Sequence, residues 1–347
     1  MNKPIIIAVL SFVLISSCID PLETEVEFSS AKLVVNAEIH DLEEPNYIYL
    51  SRSSKFDKEN NPIVSNAYVV VEDSLGNRYE FMESEPGVYK ICPVDFIGQI
   101  GMSYKLIIND RDNIYETELV KMKPKGEIVD FFFEKDTQLT EVDDSFRPIS
   151  GLNFYIDFKD KEGKDYYKID YEGTYKFKAS NFDQFHDYCF INESSEYIVL
   201  LHNDRFTNNS IIKRERIVFL EKGFRFKDGY SMRVNLKALN EDAYNYWRLI
   251  ADQTNSDGSV FSALPSQIKS NIQAVNSENE VLGFFTVASI ATRRIYVPTT
   301  TYGDIISILP GCTPFRPWDP IQDYCYDCTL YFDSSGEVPD FWPENGQ

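Results

Sequence analysis

The chain has 347 residues, with 55 Asp and Glu against 34 Lys and Arg, and a formal net charge of -21. An acid excess of this size, spread along the chain, disfavours nucleic acid and anionic lipid surfaces as partners, because both repel it over a Debye length of roughly 8–10 Å. The 43% hydrophobic content, with 22 tyrosines and 25 phenylalanines, is enough for two cores, at a usual domain size of roughly 100 to 200 residues.

Lys3 opens the chain, a predominantly apolar run from Pro4 to Ile15 follows, and Ser16-Ser17-Cys18 closes it. That run is too short to span a bilayer, which takes about 20 apolar residues, and it has the basic start and small-residue end of a signal peptide. The string Leu14-Ile15-Ser16-Ser17-Cys18 has the pattern of a lipobox, so residues 1–17 read as a lipoprotein signal peptide and Cys18 as the lipidated first residue. An ordinary signal peptide with an incidental cysteine is the competing reading. Two or three acyl chains on Cys18 would hold the protein on a membrane where one would do so only marginally. Residues 18–30 then form an acidic tether carrying Asp20, Glu23, Glu25 and Glu27.

From residue 31 the signals are those of strands. Leu33, Val35, Ala37 and Ile39 alternate with Asn36, Glu38 and His40, the period of two that places one face on a core and the other in water. Tyr47 to Arg52 follows, and then a hairpin, Val69 to Asp73 and Arg78 to Met82 around Ser74-Leu75-Gly76-Asn77. Gly87-Val88-Tyr89, Tyr104 to Asn109 and Ile114 to Val120 complete six or seven short strands over residues 31–122, which describes an immunoglobulin-like β-sandwich. Lys121 to Gly126, basic and bearing Pro and Gly, marks a boundary.

Residues 126–309 read as a second β-rich domain with longer, more aromatic strands, in which Phe154, Ile156 and Phe158 face one way. One helix is expected, about Asn240 to Gln253: Asn240 serves as N-cap, Glu241 and Asp242 complement the dipole, and Ala243, Tyr246, Trp247, Ile250 and Ala251 form an apolar stripe. Residues 310–347 form an irregular Cys- and Pro-rich tail packed on the second domain, with Trp318, Phe341 and Trp342 seeking burial.

With Cys18 assigned to lipid, five cysteines remain. Outside the cytoplasm two disulfides and one free thiol are expected. Cys92, in the strand-like Tyr89 to Pro93, is assigned as the buried free one, and Cys189, Cys312, Cys325 and Cys328 as the pairs, with their connectivity open. Closing a loop of more than 100 residues contributes about 4 kcal/mol in the entropic account. A four-thiolate zinc site built on Cys325-x-x-Cys328 competes, but an oxidising location argues against it, and no cofactor or metal is expected.

Catalytic constellations are thin. The chain holds three histidines, His40, His186 and His202, and lacks the Gly-x-Ser-x-Gly, His-Glu-x-x-His and phosphate-loop patterns. His40 falls on the polar face of its strand, where a solvated side chain is expected. Asp157, Asp160, Glu162 and Asp165 read as an acidic hairpin tip, interleaved with lysines, and Asn255-Ser256-Asp257-Gly258 as a helix-ending turn rather than a calcium loop. Asp73-Ser74-Leu75 matches the short Asp-Ser/Thr-aliphatic pattern for O-glycan attachment, with Ser74 as the acceptor.

Taken in order, Leu33-Val34-Val35, Tyr49-Leu50-Ser51, Ala67 to Val71 with Gly76, Gly87-Val88-Tyr89, Tyr244 and Trp247, Val281 to Phe285, Cys325-Tyr326-Asp327-Cys328 and Pro339 to Trp342 resemble a family of Bacteroidota lipoproteins known only as domain of unknown function 4249. The resemblance implies a β-rich outer-membrane lipoprotein, often encoded beside a TonB-dependent receptor, and carries no catalytic residues. The acidic tether likewise resembles the signal that sends such lipoproteins to the cell surface. The expectation is a non-enzymatic, surface-exposed accessory or ligand-binding subunit of a TonB-dependent receptor complex, anchored in the outer membrane by its lipid and taking a glycan or peptide ligand. The alternatives are a glycan hydrolase using paired carboxylates and a structural or adhesive envelope protein.

Overall fold

The computed structural model describes residues 31–54, 62–142, 145–161, 165–179, 185–195, 200–203, 210–254, 268–303, 309, 312 and 322–343. The signal peptide, Cys18 and the tether lie outside these residues, as do Glu162, Asn255 to Gly258 and Trp318. Among the described residues the chain is mainly β with one α-helix, and no helix is long and apolar enough to cross a membrane.

The first sandwich begins with β1 (Leu33–His40) antiparallel to β2 (Asn46–Arg52). Leu33, Val35, Ala37 and Ile39 are buried while the residues between them face outward, as the period of two requires. β3 (Tyr68–Asp73) and β4 (Arg78–Glu85) form the expected hairpin, with Gly76 at φ +86° supplying the left-handed turn residue. β4 changes partner midway: Arg78 to Phe81 pairs with β3, and Met82 to Glu85 with β5 (Val88–Ile91). The ladder thereby turns the corner from one layer to the other. β6 (Ser103–Asp110), β7 (Asn113–Thr117) and β8 (Val120–Lys121) extend the second layer. Val35, Ile48 and Leu50 from one layer share a core with Val69, Val71, Leu106 and Ile108 from the other.

Past residue 126 the strands lengthen as expected. They are β9 (Glu127–Val142), β10 (Ser145–Lys159), β11 (Tyr166–Phe177), β12 (Cys189–Ser194), β13 (Leu200–Asn203), β14 (Ile211–Glu221) and β15 (Tyr230–Leu239). β14, β10 and β9 form a three-stranded sheet whose Phe154, Ile156 and Phe158, all fully buried, pack with Ile169, Met232, Val234 and Leu236 of β11 and β15. Each such side chain contributes about 1.5–3 kcal/mol on burial, and among the described residues this is the largest of the cores.

α1 (Glu241–Thr254) starts as the sequence indicates, with the Ala243 amide donating to Asn240 Oδ1 at 2.7 Å. Its contact face is the first part of the expected stripe, Ala243, Tyr246 and Trp247, which pack with Phe284, Ala288 and Ile290. Ala243 and Tyr244 are its buried residues, Tyr246 stacks on Phe284 at 4.6 Å between centroids, and Ile250 and Ala251 stay half-exposed. The helix therefore packs through its first two turns and leaves its end in solvent.

β16 (Ile272–Ala274) pairs with β7, and β17 (Val281–Val297) joins both sandwiches. Val281 to Ala288 runs parallel to β1, and Ser289 to Val297 runs antiparallel to β15. The hydrogen-bonded ladder is thus continuous from the first sandwich to the second, β16 and β17 returning from the later segment to complete the earlier one.

The tail is held as anticipated. Disulfides join Cys189 to Cys328 and Cys312 to Cys325, β18 (Ser334–Ser335) pairs with β12, and Trp342 is buried between Phe190 and Tyr296. Phe341 remains 41% exposed, its ring under the Arg294 guanidinium at 3.6 Å. Cys92 is unpaired, as expected, but exposed rather than buried. It falls one residue past β5, where the ladder that would have covered it has ended.

Candidate functional site

Where the two sandwiches meet, the outward faces of β1, β2, β11 and β15 wall a cleft of about 660 Å³, with Trp247 of α1 at its side. That volume lies within the range of small-molecule sites, roughly 300–1,000 Å³. Every strand contributes alternate residues. Asn36, Glu38 and His40 come from β1, Tyr47 and Tyr49 from β2, Lys168 and Asp170 from β11, and Asn235 and Lys237 from β15. Register then fixes their neighbours: Tyr49 lies across from Asn36, Tyr47 across from Glu38, and Asp170 across from Asn235.

The charges form a chain. The Lys237 ammonium donates to Glu38 Oε1 at 2.6 Å and lies 3.0 Å from Asp170 Oδ2, which Lys168 also reaches at 3.1 Å. Burial opposes the charge of Lys237, yet Asp170 and Glu38 hold its pKa well above the ordinary lysine value. Burial likewise opposes ionisation of Asp170, but Lys237 and Lys168 hold its carboxyl well below the usual range. Lys168 sits over the Trp247 ring at 4.5 Å from its centroid. Arg233 spans the next gap, binding both Glu44 oxygens and donating to Glu172 at 2.8 Å, and its hydrogen bond holds the Glu44 pKa down. Asn235 Nδ2 donates to Asp170 at 3.0 Å and to Glu172 at 3.1 Å.

His40, expected to be solvated, is half-buried at the cleft edge and accepts the Leu42 amide at Nδ1, 3.3 Å away. Burial lowers its pKa, so it is neutral near pH 7. The other two histidines lie in the second sandwich. His202 meets the Phe158 ring edge-on, and His186 Nδ1 stands 3.5 Å from Asp327.

The remaining expectations resolve separately. Asp157 accepts the Arg214 amide at 2.7 Å, Asp160 is fully buried and Asp165 accepts the Tyr167 hydroxyl, so the described part of that hairpin tip presents no common acidic face. His186, Cys189 and Cys328 come within metal-ligand reach of one another, but the two thiols are joined in a disulfide. Ser74 is exposed at its turn, as a glycan acceptor must be. Asp73 beside it is buried, and it accepts the amides of Leu75 and Asn77 and the Tyr79 hydroxyl, a sufficient structural reason for an aspartate there.

Fold and cleft together define a two-sandwich β protein, bridged by one shared strand, with a polar, aromatic-edged cleft at the junction. The chain belongs to the family described as Domain of unknown function (DUF4249), which matches residues 19–294. That match takes in all of the cleft residues above and every strand up to Arg294 within β17, and it leaves out the tail. No curated protein matches the chain.

Proposed function

We propose that the protein is a surface-exposed outer-membrane lipoprotein, anchored through Cys18, that acts without catalysis as an accessory or ligand-binding subunit of a TonB-dependent receptor complex. The supporting observation is the state of the acids in and beside the cleft: Glu38, Asp170 and Glu172 within it, and Glu44 next to it, are each clamped by a cation. A carboxylate pair that hydrolyses a glycosidic bond needs one acid kept protonated by a raised pKa and one carboxylate open to attack. Carboxylates clamped by cations in this way suit a rigid recognition surface instead. Anchoring and partnership rest on the lipobox, the acidic tether and the family resemblance.

Purification of the tagged protein from native outer membrane in gentle detergent tests the reading. Co-recovery of a β-barrel receptor is the expected result; recovery alone, from membranes in which such receptors are intact, overturns it. Replacement of Cys18 by Ala is expected to move the protein from the membrane to the soluble fraction, and protease added to intact cells is expected to cut the wild-type body.

A further inference from the structure

We propose that the cleft at the sandwich junction is a saccharide site, taking a neutral glycan that stacks on Tyr47 and Tyr49 and hydrogen-bonds to Glu38 and Lys237. The inference deepens the ligand-binding reading above and rests on it. Tyr47 and Tyr49 are 37% and 47% exposed and stand side by side, 6.3 Å apart with rings inclined by 22°. Two parallel exposed rings offer an apolar platform with hydroxyls at the edge, the complement of a sugar ring with its apolar C–H face and polar rim.

The floor carries unanswered polarity. Asn235 is 4% exposed, and with its amide spent on Asp170 and Glu172 its Oδ1 has no partner. Trp247 Nε1 at the side, and Arg233 Nε beside the cleft, are also buried without an acceptor. An orphaned buried polar atom costs roughly 1–3 kcal/mol, so these three mark the wall of the cleft as polar and not optimised for stability alone. Between them Glu38, Lys237 and Asp170 set acceptor, donor and acceptor at 2.6 and 3.0 Å. Vicinal hydroxyls, each both donor and acceptor, match such a row.

Charge and backbone select the class. Glu38, Glu44, Asp170 and Glu172 are balanced by Lys168, Lys237, Arg233 and the neighbouring Arg294, so a neutral guest leaves every ion pair intact and a charged one must break a pair. A peptide strand needs free backbone at a sheet edge. β1, β2, β11 and β15 are each paired on both sides, which leaves only side chains facing the cleft.

Isothermal titration of the lipidated full-length protein, held in a sugar-free amine-oxide detergent, tests this. The probes are cellohexaose, xylohexaose, mannohexaose, laminarihexaose and maltohexaose, beside a mixture of neutral and charged hexapeptides. At least one oligosaccharide is expected to bind with Kd below about 1 mM. Tyr49→Ala is expected to weaken that binding at least about tenfold, with Tyr49→Phe restoring it and Tyr68→Ala, an exposed tyrosine of β3, leaving it unchanged. Silence from all five sugars, or binding indifferent to Tyr49→Ala, overturns the saccharide site. Tyr49-dependent binding of a peptide instead overturns the sugar while sparing the reading above, which the co-recovery of a barrel tests separately.

Discussion

Gly283 sits inside β17 at φ +90°, and a Cβ there would overlap the carbonyl oxygen of Val35 on the paired β1. Only glycine lets the two backbones approach at this point, and the approach is what attaches the shared strand to the first sandwich. Gly283→Ala is expected to destabilise the protein by about 3 kcal/mol, left-handed strain adding to a clash with backbone that has nowhere to move. Urea denaturation measures it, and an unchanged midpoint and slope would contradict the account. Cys92 makes the opposite kind of residue. Exposed and unpaired, it is expected to react with iodoacetamide in the native, unreduced protein, and mass spectrometry should find the label there and on none of Cys189, Cys312, Cys325 and Cys328. That one cysteine is unpaired followed from an odd count, and its assignment to Cys92 from the strand-like Tyr89 to Pro93 around it. Its exposure did not follow, because the apolar residues before it hide that the strand ends at Ile91.

Among the elements, β1, β11 and β15 share a design that the sequence shows only one strand at a time. Each alternates buried apolar residues with charged or amide residues, and taken singly each outward face reads as solvated: Glu38 and His40, then Lys168, Asp170 and Glu172, then Arg233, Asn235 and Lys237. Register turns these faces into one ionic array. A parallel pairing between residues some 250 positions apart, such as Val35 with Gly283, leaves no turn or spacing signal in the sequence, so the cleft was not legible there. Phe154, Ile156 and Phe158 were legible because burial on one face is a property of their own strand. The array makes Lys237 the side chain on which most depends. Lys237→Met removes the cation between Glu38 and Asp170 and is expected to cost about 3 kcal/mol, since two largely buried carboxylates are left facing each other. The pH dependence has a definite sign. Asp170 has a folded pKa below the ordinary 3.8, so its contribution is present above that pH and lost as pH falls through the folded value. Lys237 has a folded pKa above the ordinary 10.5, so its contribution is present below that pH and lost as pH rises through the folded value. The penalty of Lys237→Met should therefore stay constant between about pH 5 and 9 and shrink towards both extremes. A penalty that varies steeply near pH 7 would mean that another group governs the cleft.

At the scale of the whole molecule the question is whether two sandwiches behave as two folding units. Their cores are distinct, and a chain that crossed between them only once would let one melt without the other. Here the crossing is made by strand rather than linker. β17 contributes Phe285 and Val287 to the first core and Val297 to the second, while the third small core, Phe284, Ala288 and Ile290 with Leu239 and Ala243, bridges them beneath α1. Unfolding either sandwich strips one half of β17 of its partners and opens the cleft, so both should unfold in one transition. The tail reinforces the second half. The Cys189 to Cys328 link closes 139 residues and the Cys312 to Cys325 link closes 13, worth about 5 and 3 kcal/mol in the loop-entropy account. Reduction is therefore expected to lower the melting temperature, and because the halves are coupled through β17 the first sandwich should lose stability with the second although it holds no disulfide. Hydrogen exchange read by mass spectrometry distinguishes the outcomes. Under coupling, amides of β3 and β6 lose protection on reduction in step with those of β11 and β15; if only the latter lose it, β17 is a hinge between independent units, and the cleft at the junction is free to open and close.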